Sequence, residues 1–145
     1  MNIKYKKLNE LAKVPTRGSE YSAGYDLYAA TDIEYNIFPH TTQLVKTGLA
    51  FKLPDGYFGA IFARSGLASK KGLRPANCVG VVDSDYRGEV MIALHNDSDS
   101  IMTIEAGERI AQLVLIPYIN MTFEETEELD STKRGEGGFG STGNK

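Results

Sequence analysis

The sequence predicts an all-β domain, a sandwich or barrel with one short helix, followed by a flexible glycine-rich tail. Three observations carry this. Up to about residue 128 the chain breaks into short runs rich in Val, Ile, Tyr, Phe and Thr, the side chains that suit a pleated, half-buried surface. Turn-forming clusters separate those runs at close intervals, which favours antiparallel pairing. After Asp130 the composition changes abruptly: residues 131–145 read STKRGEGGFGSTGNK, with five of the fifteen glycines and Phe139 as the one apolar side chain.

In chain order, apolar clusters fall at Ile3 and Tyr5, then at 25–30, 33–38, 44–53, 57–63, 79–82, 90–94, 101–104 and 110–116. Pro54-Asp55-Gly56, Arg87-Gly88, Asn96-Asp97-Ser98-Asp99-Ser100 and Glu105-Ala106-Gly107-Glu108 supply turns between them. Residues 65–71, SGLASKK, combine a cap-competent Ser65 with Leu and Ala before Gly72, which predicts a short helix. The tail cannot bury enough apolar surface to offset its ordering entropy. A β domain over 1–130 and a mobile tail over 131–145 are therefore expected.

A chain of 145 residues is the size of one domain and buries close to ~70% of its unfolded surface. Sixteen Lys and Arg against nineteen Asp and Glu give a net charge of −3, which argues against nucleic acid or an anionic membrane as partner. No apolar stretch approaches the roughly 20 residues needed to cross a bilayer. The opening MNIKYKKLNEL has no signal-like apolar run, so a soluble, unprocessed, cytoplasmic protein is expected. Cys78 is the only cysteine and cannot form an internal disulfide, which suits a reducing compartment; burial habits predict it as a small core hydrophobe.

The common nucleotide, hydrolase and metalloprotease motifs are absent: no P-loop, no G-x-G-x-x-G at a strand-to-helix turn, no G-x-S-x-G and no H-E-x-x-H. His40 and His95 sit at strand ends and read as structural or solvated, which leaves carboxylates and a bound metal to carry any reaction. Four features then stand out, each with an ordinary structural alternative. Arg64-Ser65-Gly66 brings a guanidinium, a hydroxyl and free backbone N–H groups to a helix start, suited to an oxyanion, or is simply a capped helix with a solvated Arg. Residues 80–88, GVVDSDYRG, place acids directly after a buried β run, or form a polar turn. Asp26 lies inside the apolar strand pattern AGYDL, where it needs a partner or a metal, or is an edge residue. The tail combines Arg134, accessible glycines, Phe139, Ser141 and Thr142, which suit phosphates and a base, or is a plain linker.

Together these residues point to a phosphorylated nucleotide, and the chain resembles the homotrimeric dUTP pyrophosphatases (dUTPases). Five motifs of that family recur in order: Ala23-Gly24-Tyr25-Asp26-Leu27; Arg64-Ser65-Gly66-Leu67-Ala68; Asn77 through Gly88; Gly107-Glu108-Arg109-Ile110-Ala111-Gln112-Leu113; and Arg134-Gly135-Glu136-Gly137-Gly138-Phe139-Gly140-Ser141-Thr142-Gly143. Ala63 stands where the family commonly has Pro, and Cys78 and Val79 vary the third motif; these departures touch no charged group.

The resemblance implies a jelly-roll-like β-sandwich that assembles as a homotrimer with active sites shared between chains. It implies hydrolysis of dUTP to dUMP and pyrophosphate by water attack at the α-phosphorus, which lowers dUTP and supplies dUMP for thymidylate synthesis. By the same resemblance Asp83 is the general base, Mg²⁺ the cofactor, and Asp26 its ligand through water. Arg64, Ser65, Gly66 and Gln112 are implied as phosphate contacts. Backbone at Gly80 and Val82 with the Asn77 amide reads uracil, and Tyr86 packs beneath the deoxyribose. Phe139 stacks on the base, while Arg134, Gly140, Ser141 and Thr142 close over the γ-phosphate. The rival readings are a dCTP deaminase of the same superfamily, a nucleotide-sensing interaction protein and a capsid-like structural jelly roll.

Overall fold

The computed structural model describes residues 1–138. Its strands are β1 (Lys4–Lys7), β2 (Thr16–Arg17), β3 (Tyr25–Tyr28), β4 (Tyr35–Ile37), β5 (Thr42–Lys46), β6 (Leu49–Lys52), β7 (Tyr57–Phe62), β8 (Leu73–Pro75), β9 (Gly80–Val82), β10 (Met91–Asn96), β11 (Met102–Ile104) and β12 (Arg109–Pro117). A five-stranded sheet has the order β2-β3-β12-β7-β9 and a three-stranded sheet the order β5-β10-β8, with the pairs β11-β4 and β1-β6 beside them. Every pairing is antiparallel. One core cluster draws Leu27, Ile37, Val45, Leu49, Ile92 and Ile104 from strands of all four sheets, so the result is a jelly-roll-like sandwich, not a closed barrel.

The period-2 logic is plain in β10, where Ile92, Leu94 and Asn96 point inward and the residues between them outward. Asn96 is fully buried and keeps its amide satisfied. Its Nδ2 donates to the Ile37 and Ser100 carbonyls at 2.9 and 2.7 Å, and its Oδ1 accepts from the Ser98 N–H and hydroxyl at 2.9 and 2.7 Å. That network shapes the polar turn after β10.

Four local expectations change. The apolar run 44–53 is two strands in different sheets, split at Gly48, where a φ of +66° and the 2.8 Å that would separate an added Cβ from the Ala12 Cβ require glycine. The strands β2 and β8 are too short to stand out by pattern. The helix expected over 65–71 is there, but only its first two residues, 65–66, are α-helical; Leu67–Lys71 continue it as a π-type turn, and no side-chain cap opens that turn. Ser65 is therefore not the cap; its carbonyl accepts the Ser69 hydroxyl at 2.6 Å. Gly72 does end the turn in the left-handed region, as expected of a C-terminal glycine. Finally, residues 118–138 form no strand, and Ile119, Met121 and Phe123 lie exposed, because β propensity forms no strand without an edge to pair with.

No helix among the described residues is long and apolar enough to cross a membrane.

Candidate functional site

The sequence-predicted residues fall into two groups on the two sides of β7, one towards β12 and β3 and the other towards β9. The first sits where β3, β12 and β7 run side by side. Gln112 lies opposite Asp26 on one side and Phe62 on the other, and Arg64 follows two residues after Phe62. Arg64 is not solvated: its Nε donates to Asp26 Oδ1 at 2.9 Å, and Arg109 Nη1 donates to Asp26 Oδ2 at 3.2 Å. The Asp26 side chain is only 13% exposed, against 49% for Arg109. Two guanidinium groups on one carboxylate leave the trio with a charge of +1, a local anion attractor on a chain of net charge −3. Gln112 Nε2 donates to the Ala63 carbonyl at 2.9 Å, which ties the Arg64-Ser65-Gly66 bend to the sheet. Gly24 is required here, since a Cβ on it would lie 2.1 Å from Gln112 Oε1. Among the described residues, apart from its chain neighbours and its own helical turn, nothing lies within 4 Å of where a Gly66 Cβ would stand, so that backbone is open to a ligand.

The second group lines a cavity of about 260 Å³. Asn77, Gly80, Val82, Asp83 and Tyr86 line it together with Val81 and Glu89, and Leu44, Ile61, Pro75, Val90, Met91, Ile92 and Ala93 supply its apolar part. Gly80 packs closely: a Cβ on it would lie 3.1 Å from the Ile61 Cβ. Tyr86 folds back over Gly88, where a Cβ would lie 2.4 Å from its Oη, and that hydroxyl donates to the Glu89 carbonyl at 3.0 Å. Glu89 Oε1 in turn accepts the Gly48 N–H at 2.8 Å, anchoring the hairpin. Asp83 is exposed at the rim.

Cys78 departs from expectation: it is exposed, with φ of +63°. Its N–H closes a turn onto the Pro75 carbonyl at 3.0 Å, and that left-handed geometry turns the thiol outward, so local turn chemistry overrides the burial habit of cysteine. His40 pairs with Asp99 at 3.0 Å, while His95 contacts Thr42 at 3.0 Å and Asp97 at 3.5 Å; both are structural, and neither lines the cavity. Arg134 donates from Nε to the Gly137 carbonyl at 2.7 Å within a local turn. Phe139, Gly140, Ser141 and Thr142 lie outside the described residues. A second, apolar groove of about 580 Å³ beside β1 holds none of the predicted site residues.

Strand register separates the two groups. β9 pairs with β7 so that Val82 faces Gly59 and Gly80 faces Ile61, which puts Asp83 beside Phe58, six residues before Arg64. At about 3.3 Å per residue, Asp83 lies roughly 13 Å along β7 from the level of Phe62, which is that of Gln112 and Asp26.

Among the described residues no group of three or more His, Cys, Asp or Glu is placed to hold a metal ion. Both Asp26 oxygens already accept a guanidinium N–H. This donor set fits a divalent cation that arrives on a polyphosphate and is met through water, and does not fit a protein-built cage.

A family model described as dUTPase matches residues 10–143. The chain belongs to the dUTPase family. It is 46% identical over 145 residues to the deoxyuridine 5'-triphosphate nucleotidohydrolase of Hydrogenobaculum sp. (strain Y04AAS1), covering 100% of each chain. Among solved structures it is similar to a mutant Staphylococcus bacteriophage 80alpha dUTPase with dUpNHpp, at TM-score 0.89 and 31% identity, with 98% of each chain covered. A mutant dUTPase from phage phi11 of S. aureus, described as revealing the coordination of a structural Mg(II) ion, matches at TM-score 0.78 and 27% identity over 88% of this chain and 98% of that one. In dUTPase terms, the Asp26 group carries the first, second and fourth motifs and the cavity carries the third.

Sequence reasoning missed three participants. Arg109 was legible as a charge inside an apolar strand pattern, but its partner was not. Gly24 and Gly88 were legible as glycines, but the close approaches that require them belong to Gln112 and Tyr86, distant or folded-back side chains.

Proposed function

We propose that this chain hydrolyses dUTP to dUMP and pyrophosphate in the cytoplasm, as a homotrimer with sites built across chains. The observation that carries the reading is the cavity lined by Gly80, Val81 and Val82 together with Asn77, Asp83 and Tyr86. Uracil offers N3–H as donor and O4 as acceptor, which main-chain groups and the Asn77 amide match, whereas cytosine leaves them unpaired at about 1–3 kcal/mol per buried group. Tyr86 packs where a ribose 2′-OH would be stripped of water. Asp83 accepts a proton from the attacking water, whose oxygen bonds the α-phosphorus as the bond to the bridging oxygen of the β-phosphate breaks and pyrophosphate leaves. Arg64, Ser65, Gly66 and Gln112 bind phosphate oxygens. Mg²⁺, when bound with the triphosphate, offsets charge on the leaving pyrophosphate, and Asp26 meets it through water.

Asp83 stands level with the start of β7 and Arg64 beyond its end, a separation that supports a site completed between chains. The Asp83 of one chain therefore works with the Arg64 group of another. Residues 131–145 are a separate tail on the domain 1–130; fifteen residues reach about 50 Å, enough to bring Arg134, Phe139, Gly140, Ser141 and Thr142 to a neighbour's site. There Phe139 stacks on uracil and the others meet the γ-phosphate. The single cysteine supports a reducing compartment.

The test is pyrophosphate release from each of the four dNTPs and UTP, with Mg²⁺ and with chelator. Release from dUTP alone is expected. Ammonia from dCTP would establish the deaminase reading instead, and dUTP binding without turnover the sensor.

A further inference from the structure

We propose that Arg109 is a positioning residue for the triphosphate: it holds the far oxygen of Asp26, and Asp26 in turn holds Arg64 with its Nη edge free for phosphate. The inference rests on the reading of Arg64 as a phosphate contact. It starts from a β-bulge. In β12, Gln112 lies opposite Asp26 and Ala111 opposite Leu27, but Arg109, not Ile110, lies opposite Tyr28. In an unbroken ladder Ile110 would take that place, and Arg109 would point to the other face. The extra residue turns Ile110 into the core, at 1% exposure, and brings Arg109 onto the face shared by Asp26 and Gln112. Bulges disrupt the local ladder and re-aim side chains; here the re-aimed side chain is a guanidinium.

Its contacts define what it does. Asp26 uses one oxygen for each arginine, so neither can swing without releasing the carboxylate from a two-sided grip. The Arg109 carbonyl also lies 3.5 Å from Arg64 Nη1, at the long limit of a hydrogen bond, so the same residue borders Arg64 through its main chain. With Nε committed to Asp26, the remaining N–H groups of Arg64 are the ones a phosphate can take. Without Arg109, the Asp26–Arg64 pair would be neutral and free to rotate as a unit. With it, the pair is fixed and the trio keeps a positive charge for an anionic substrate.

The experiment is a double-mutant cycle on the full chain: Arg64→Gln, Arg109→Gln and the two combined, together with Arg109→Lys. The measurements are kcat and KM for dUTP, inhibition by deoxyuridine, and Tm. Loss of a charge-assisted contact predicts a fall in kcat/KM of about tenfold or more for Arg109→Gln. The double variant should match Arg64→Gln alone, because Arg109 acts through Arg64. Arg109→Lys should recover most of the loss, since one N–H reaches Asp26. Inhibition by deoxyuridine, which has no phosphate, should not change. Multiplying losses would show that Arg109 meets phosphate itself and overturn the proposal, as would an Arg109→Gln enzyme of wild-type kcat/KM or an equal loss of deoxyuridine inhibition. Unchanged kcat/KM in Arg64→Gln would instead refute the Arg64 reading beneath it. If Arg109→Gln fails to fold, Arg109→Met keeps the aliphatic stem and carries the same cycle.

Discussion

Mixing two inactive variants should restore activity, and the amount follows from the geometry. One variant carries Asp83→Asn; the other keeps Asp83 but carries Arg64→Gln with Ser65→Ala. Within one chain Asp83 stands level with the start of β7, whereas Arg64 and Ser65 lie beyond its end. If the site is built across chains, a ring containing both variants has one junction where an intact Arg64 and Ser65 meet an intact Asp83. Random equal mixing makes about three trimers in four mixed, with one complete site of three, so roughly a quarter of wild-type activity should return. The chains are unfolded and refolded together, mixed trimers are counted by native mass spectrometry, and pyrophosphate release is measured. Mixed trimers with no activity above the separate variants would refute the cross-chain site.

Four further outcomes are expected. Asp83→Asn should lower kcat by about 10²–10⁴-fold while a non-hydrolysable dUTP analogue still binds, measured by calorimetry, because the amide keeps size but takes no proton. Gly24→Ala should push the flexible Gln112 side chain off the Ala63 carbonyl and cost about 1 kcal/mol in kcat/KM, near fivefold, with little change in Tm. Gly88→Ala should expel Tyr86 from its folded-back position and narrow the preference for dUTP over UTP, read as the ratio of kcat/KM values. The hydrogen bond from Arg74 holds the Asp97 carboxyl below its ordinary range. Its stabilisation is therefore present above the unfolded value near pH ~4 and lost as pH falls through the lower folded value. Asp97→Asn should accordingly lower Tm at neutral pH, and the difference should close in acid.

The sequence by itself determined the class of fold and the chemistry. Short β-rich runs with turn residues at close intervals specify an antiparallel sandwich whatever their partners, and β7, β10 and β12 lie where the pattern puts them. The charged and polar side chains proposed for nucleotide hydrolysis, Asp26, Arg64, Asp83 and Gln112 among them, are readable in their motifs without coordinates. What the sequence left open were properties of pairs distant along the chain. Cys78 faces solvent because a turn onto Pro75 sets its backbone, and Ser65 is the first helical residue of its turn, which carries no side-chain cap. Only the tertiary structure decided that Arg109 and Arg64 divide one carboxylate, since a one-residue bulge reverses the face a side chain occupies and composition carries no trace of it. Only the register of β9 on β7 decided that Asp83 and Arg64 stand at opposite ends of a strand. Hydrophobic periodicity is local and survives in the one-dimensional string; register and bulges are set by packing between strands far apart in it, and the placement of this site depends on both.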